Sequence, residues 1–144
     1  MVDGLEIRRL RKGDEELVIS AASLFDDPPE GGETARFLDD PLHYLLIALL
    51  RGSPAGFASG TRIFHPDKSP QMFLNELGVA EHARNLGVGQ ALVRELGRIA
   101  REDGCAEMWV LTLPDNAPAL AAYAKAGGIR DPEQQVMFTF KLLP

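Results

Sequence analysis

Cysteine occurs once in these 144 residues, as Cys105, and histidine three times. A lone cysteine excludes an internal disulfide and a cysteine-rich zinc site, which suits a reducing compartment. The thiol reads as a small apolar side chain. His43, His65 and His82 lack the spacing of metal ligands, so no metal is expected. Positive charge is also scarce, with 15 Lys and Arg against 21 Asp and Glu and a net charge of −6. That balance argues against nucleic acid or an anionic membrane surface as a partner and favours a cationic one. No stretch approaches the roughly 20 apolar residues of a membrane span. Met1 to Leu10 has no apolar core of the length a signal peptide needs. The chain therefore reads as soluble and cytoplasmic. Internal repeats are absent too, and a 45% hydrophobic content over this length is enough for one core, so a single domain over 1–144 is expected.

What is present is a succession of short periodic segments. Leu5 to Leu10 alternates apolar and charged residues as a half-buried strand does, and Gly13-Asp14 opens a helical pattern through Leu17, Val18, Ala21, Ala22 and Phe25. After Pro28-Pro29 and Gly31-Gly32, Thr34 to Leu38 predicts a brief second helix. His43 to Leu50 and Gly56 to Phe64 are apolar runs around Arg51-Gly52-Ser53-Pro54-Ala55, which predicts a hairpin with a five-residue turn. Met72 to Val79 extends the meander. From Gly87, Ala91, Leu92, Leu96, Ile99 and Ala100 share one helical face, and Gly104 ends that helix. Glu107 to Leu113 reads as a buried strand, Asp115 or Asn116 as the cap of a short helix, and Gln134 to Leu142 as a last strand. The order β-α-α-β-β-β-α-β-α-β predicts a mixed α/β fold, a sheet with helices on its faces.

The sharpest local signal is Arg84-Asn85-Leu86-Gly87-Val88-Gly89, between a strand and the long amphipathic helix. Glycines there let backbone N–H groups close around an anion, the helix start adds partial positive charge, and Arg84 adds a full one. His82 lies in the same loop. Neither the Lys-Ser/Thr pair of a nucleoside triphosphate loop nor the three-glycine dinucleotide fingerprint is present.

With Arg84-x-x-Gly87-x-Gly89 five residues after Val79, and with Asn116, Ala119-Leu120, Tyr123, Lys125 and Gly127 after the strand Met108 to Thr112, the chain resembles the GNAT superfamily of acyl-coenzyme A N-acyltransferases over roughly residues 5 to 142. The resemblance implies a central, mostly antiparallel sheet flanked by helices, and acetyl-CoA as cofactor. It implies that the backbone of Leu77, Gly78 and Val79 pairs with the pantetheine amides. The loop from Arg84 and Asn85 through Leu86, Gly87, Val88 and Gly89 would hold the pyrophosphate. Asn116 would bond the pantetheine arm or simply cap its helix, and Tyr123 would bring its hydroxyl to the thioester sulfur or be only a half-buried aromatic.

Transfer to an amine needs a base to free the lone pair and an acid for the leaving thiolate. Glu76, inside Phe73-Leu74-Asn75-Glu76-Leu77, is the candidate base, because apolar neighbours would desolvate it and raise its pKa. Its other reading is a paired structural carboxylate. Tyr123 is the candidate acid. His65, before Pro66, is the competing base. Direct transfer is expected, since Cys105 lies far from Glu76 in sequence and no Ser-His-Asp grouping suggests itself.

Residues 26 to 40 carry six acids against Arg36, a net of −5. In the resembled fold this segment borders the acceptor cleft, so Asp26, Asp27 and Glu30, with His65 and Glu76, are the candidate substrate contacts for a small cationic amine. A solvated loop is the plainer reading. Within the superfamily, Ser23-Leu24-Phe25, Tyr44 to Leu49, Asn75 to Val79 and Val136-Met137-Phe138 resemble the type I aminoglycoside 3-N-acetyltransferases. Those enzymes usually carry aspartate where Glu76 stands. Polyamines, peptide amines and a non-catalytic acyl-CoA-binding module are the alternatives. A homodimer is also open, with Phe25 or Phe138 serving such an interface as readily as the core.

Overall fold

The computed structural model describes residues 2–144. Strands β1 (Leu5–Arg9), β2 (His43–Leu50), β3 (Ser53–Ile63), β4 (Gln71–Val79) and β5 (Glu107–Val110) form one five-stranded sheet in sequence order. All neighbours are antiparallel except β4 and β5, which run parallel. Helices α1 (Glu15–Ser20) and α2 (Gly31–Asp39) cover one face, whereas α3 (Val88–Glu102) and α4 (Ala117–Lys125) belong to the other. The mixed α/β expectation holds.

β2 reads His-Tyr-Leu-Leu-Ile-Ala-Leu-Leu without alternation because both its faces are covered. Leu46, Ala48 and Leu50 pack toward α3 with Leu92 and Leu96, while Leu45, Ile47 and Leu49 pack toward α1 and α2 with Val18 and Phe57. α3 buries Leu92, Leu96, Ile99 and Ala100, the face its periodicity marks, and ends at Gly104, where φ is +83°.

The hairpin differs from expectation. Leu50 pairs directly with Ser53, so the turn is the two residues Arg51 and Gly52, both with positive φ (50° and 84°). That handedness matches the strand twist. The extra residues join β3 instead, through a register irregularity after Ala48. α1 stops at Ser20 and a 3₁₀ turn over Ala22–Leu24 follows, which brings the Phe25 ring to 4.5 Å from the Phe57 ring. Phe25 is therefore spent on packing. The strand expected over Gln134 to Leu142 does not form: no helix or strand follows Lys125 among the described residues. A strand exists through its ladder, and this stretch has alternation without a neighbour.

Tyr44 ties β2 to the end of α3, its hydroxyl donating to Asp103 Oδ2 at 2.6 Å. Burial, then that bond to a carboxylate, pushes the phenol up to about 12. A folded-state value above the unfolded one, near 10, means stability that is fully present below about pH 10 and lost as pH climbs toward 12. Urea midpoints should fall across that window in the wild type and fall less in Tyr44→Phe, which should lose about 1 kcal/mol at neutral pH.

Candidate active site

β4 pairs with β3 along its length but with β5 only from Gln71↔Glu107 to Leu74↔Val110. Beyond Leu74 the two parallel strands part, so the β5-facing backbone of Asn75 to Val79 has no ladder partner. At that same point β4 carries an extra residue. Gly60 opposes Leu74 and Ser59 opposes Glu76, which leaves Asn75 unpaired in a bulge. A bulge reverses side-chain parity. Without it Glu76 would share the face of Met72 and Leu74, under α3. With it Leu77 and Val79 take that face, and Glu76 turns toward α1 and α2.

There Glu76 borders a cavity of about 220 Å³ walled by Val18, Phe25, Phe37, Leu45 and Phe57, with Asp27, Glu30 and Glu33 along its acidic side. Ser59, 5% exposed, also lines it, and its Oγ has no hydrogen-bond partner among the described residues. Glu76 itself is exposed, which corrects the expectation that its apolar neighbours would enclose it. Strand neighbours point to opposite faces, and Leu77 packs under α3 instead of beside the carboxylate.

The acidic segment splits in the same way. Asp27 and Glu30 line the cavity and Asp26 does not. The Glu30 carboxylate is occupied as the cap of α2, accepting from the N–H groups of Glu33 (2.8 Å) and Gly32 (3.0 Å), and these bonds hold its pKa below the usual range. His65 is not part of the site. It follows Ile63, which pairs with Gln71 at the far end of β4 from Glu76, roughly 15 Å away at the rise of a strand. Glu33, Ser59 and Phe57 were not singled out from sequence. Ser59 had a signal, as a polar residue in an apolar strand, but Phe57 and Glu33 look ordinary until the fold places them.

Past Val79 the chain makes a 3₁₀ turn over Glu81–Ala83, then reaches αL geometry at Asn85 (φ 62°) and at Gly87 (φ 81°), the residue before α3. Among the described residues no side chain caps this 15-residue helix, so its first N–H groups are offered outward beside the parted strands. Arg84 is exposed and makes no ion pair among the described residues. At Gly89 a Cβ would meet Val79, Ala122 and Leu77 at 3.5, 3.6 and 3.7 Å, which shows how closely the helix start packs between β4 and α4. A diphosphate fits this donor set, and an extended amide-bearing arm fits the unpaired edge of Leu77 to Val79.

Asn116 caps α4, its side-chain oxygen accepting from the Ala119 N–H at 3.3 Å, so the capping reading is realised. Tyr123 lies on α4, half-buried in a second groove with Leu74, Val93 and Val110. Burial raises its pKa, which keeps the hydroxyl protonated at neutral pH. Glu76 and Tyr123 thus border different cavities, on the two sides of the β4–β5 opening.

The unpaired edge of Leu77 to Val79 and the uncapped start of α3 are the backbone groups that the resemblance assigns to coenzyme A. The chain belongs to the acetyltransferase (GNAT) family, whose profile matches residues 6–128. GNAT acetyltransferases use acetyl-CoA. The chain is 28% identical over 142 residues to a mycothiol acetyltransferase of Paenarthrobacter aurescens, covering 89% of this chain and 43% of that protein. It is 29% identical over 103 residues to the streptothricin acetyltransferase of Streptomyces lavendulae, covering 71% of this chain and 53% of that one. It therefore spans about half the length of these curated relatives. Among solved structures, an aminoglycoside acetyltransferase from an uncultured soil metagenomic sample, in complex with sisomicin, superposes with a TM-score of 0.88 at 21% identity, over 97% of both chains. The aminoglycoside acetyltransferase AAC(6')-Iy, bound to a CoA-acetylneamine bisubstrate analogue, gives 0.78 at 23% identity, over 96% of this chain and 99% of that one. Among the described residues, no helix is long and apolar enough to cross a membrane.

Proposed function

We propose that this protein is an N-acetyltransferase that moves acetyl from acetyl-CoA to a primary amine of an aminoglycoside by direct attack in a ternary complex. The observation that carries the reading is the bulge at Asn75, which turns Glu76 into an aromatic-walled, acid-rimmed cavity at the place where β4 leaves β5. Aromatic faces and carboxylates together suit a cationic sugar-like amine. Acetyl-CoA supplies the activated acetyl group and a thiolate leaving group. The backbone of Leu77, Gly78 and Val79 would hold its pantetheine arm. The turn from Arg84 to Gly89 would hold its diphosphate.

Glu76 takes a proton from the docked ammonium, directly or through water, and its exposure gives that proton a route to solvent. Tyr123 supplies a proton from its hydroxyl to the departing sulfur. Since burial raises the Tyr123 pKa, its proton is held until pH passes the ordinary phenol value of about 10. kcat should therefore stay flat on the alkaline side up to about pH 10, and Tyr123→Phe should lower the plateau by about 10-fold to 100-fold. A plateau that falls well below pH 10 in the wild type would remove Tyr123 from this role.

Thiol release from acetyl-CoA, followed against aminoglycosides, polyamines and peptides with free amino termini, tests the function. Release with the aminoglycosides is the expected result. Release only with polyamines or peptides moves the acceptor to those alternatives, and silence with acetyl-CoA bound makes the protein a binding module. For the position acetylated we propose the 3-amino group, on the resemblance to the type I enzymes, and NMR of the product decides it.

A further inference from the structure

Four buried polar atoms have no hydrogen-bond partner among the described residues: His43 Nδ1, Ser59 Oγ, Arg62 Nε and His65 Nε2. Of these four residues only Ser59, at 5% exposed, is buried past nine-tenths, and only Ser59 borders the cavity beside Glu76. It stands in an otherwise apolar stretch of β3, Ala55-Gly56-Phe57-Ala58-Ser59-Gly60, where alanine would cover the same backbone with no hydroxyl to desolvate. An unpaired buried hydroxyl costs stability in the empty protein. That cost is offset once a group in the cavity pairs with it.

Ser59 is the Cα partner of Leu45 on β2 and of Glu76 on β4, so the three side chains form a row across one face of the sheet. Leu45 is buried and Glu76 is exposed, so the row runs from solvent at Glu76 inward past Ser59. An acceptor whose ammonium meets Glu76 therefore sets the atoms behind that group against Ser59. The Oγ turns about one bond between staggered positions and can both donate and accept. Val18, Leu45 and Phe57, all buried, wall this inner end. A second ammonium would lose its hydration there, whereas a neutral hydroxyl loses less and pairs with Oγ. Opposed ladder positions lie roughly 5 Å apart, the span of two substituents in a 1,3-relation on a six-membered ring and more than that of vicinal ones.

We infer that Ser59 Oγ binds a hydroxyl of the acceptor standing in a 1,3-relation to the reacting amine, so that the acceptor class is a ring-borne 1,3-amino alcohol. This rests on the reading of Glu76 as the residue that meets the reacting amine. Ser59 is then a specificity-determining residue. An amine without the hydroxyl leaves Oγ unpaired in the complex as well, and the site discriminates against it. No bond of Ser59 is made or broken during acetyl transfer.

Cyclohexylamine, cis-3-aminocyclohexanol and trans-2-aminocyclohexanol share a ring and an amine and differ only in the hydroxyl, so acetyl transfer to the three isolates the effect. Wild-type kcat/KM should favour the 1,3 compound over cyclohexylamine by about 10-fold to 100-fold, and the vicinal compound should gain less than about 3-fold. Ser59→Ala should bring the 1,3 preference below about 3-fold, and should melt at the wild-type temperature or higher, because the unpaired hydroxyl is gone. A wild type without the preference, a vicinal compound as good as the 1,3 one, or a preference that survives in Ser59→Ala would each overturn the inference. A preference lost together with a lowered melting temperature would overturn it too, since Ser59 would then be part of the cavity's framework. If no amine is acetylated, the functional reading has failed, and ligand-observed NMR with acetyl-CoA present reads the same preference as a ratio of dissociation constants. Equal binding of the three amines by the wild type would then overturn the inference on its own account, whereas a 1,3 preference lost in Ser59→Ala would uphold it.

Discussion

Replacing Glu76 by glutamine should lower kcat for acetyl transfer by about 100-fold to 1000-fold, the contribution usual for a positioned base. The amide keeps the size of the side chain and much of its hydrogen bonding, and loses only the capacity to take up a proton. Since Glu76 is exposed and makes no ion pair among the described residues, the substitution should leave stability within about 0.5 kcal/mol of the wild type. Binding of acetyl-CoA, which the opposite edge of β4 and the start of α3 would support, should also be unaltered. Steady-state kinetics with a thermal melt and a CoA titration separate the three quantities. A kcat that does not move would mean that Glu76 only attracts the cation and that another group, or water, takes the proton. A change confined to KM for the amine would mean the same.

Gly78→Ala should cost about 3 kcal/mol of stability, the upper end of what overpacking a filled core costs. A Cβ there would stand 2.7 Å from Cε1 and 3.1 Å from Cδ1 of Phe57, and 3.3 Å from the carbonyl oxygen of Leu24. Phe57 is 3% exposed and lies 4.5 Å, ring to ring, from Phe25, so it has little room to swing away. The carbonyl cannot move without the 3₁₀ turn that carries it. The same two rings wall the cavity beside Glu76, so KM for the amine should rise along with the loss of stability. Urea unfolding measures the first and saturation kinetics the second. A loss under about 0.5 kcal/mol would show that the Phe57 ring relaxes freely.

Much of this architecture could be read before any coordinates. The unbroken apolar run of β2, the one-sided helix from Val88 and the Gly87-Val88-Gly89 turn each follow from residues within a few positions of one another. For the candidate base the structure corrects the expected environment: Glu76 is exposed. Glu76 looked enclosed because its sequence neighbours are apolar, yet the bulge at Asn75, between the pairs Gly60↔Leu74 and Ser59↔Glu76, turns it to the face of α1 and α2, where it is exposed. The places of His65 and Glu30 depend on the fold in a related way. One sits at the wrong end of β3, and the other spends its carboxylate on the N–H groups of its own helix start. The Gln134 to Leu142 pattern was recognised, but a strand needs an edge, and whether one is available is not written in the segment itself.

By itself, then, the chain determined its periods, its glycine turn before the long helix and its excess of acid, since these depend on side-chain chemistry and on contacts a few residues apart. Tertiary structure alone decided which face Glu76 meets, which acids border the cavity, and that β5 is left with a free edge. Those outcomes rest on register between strands distant in sequence, and one residue of slip in a ladder sends a side chain to the opposite face.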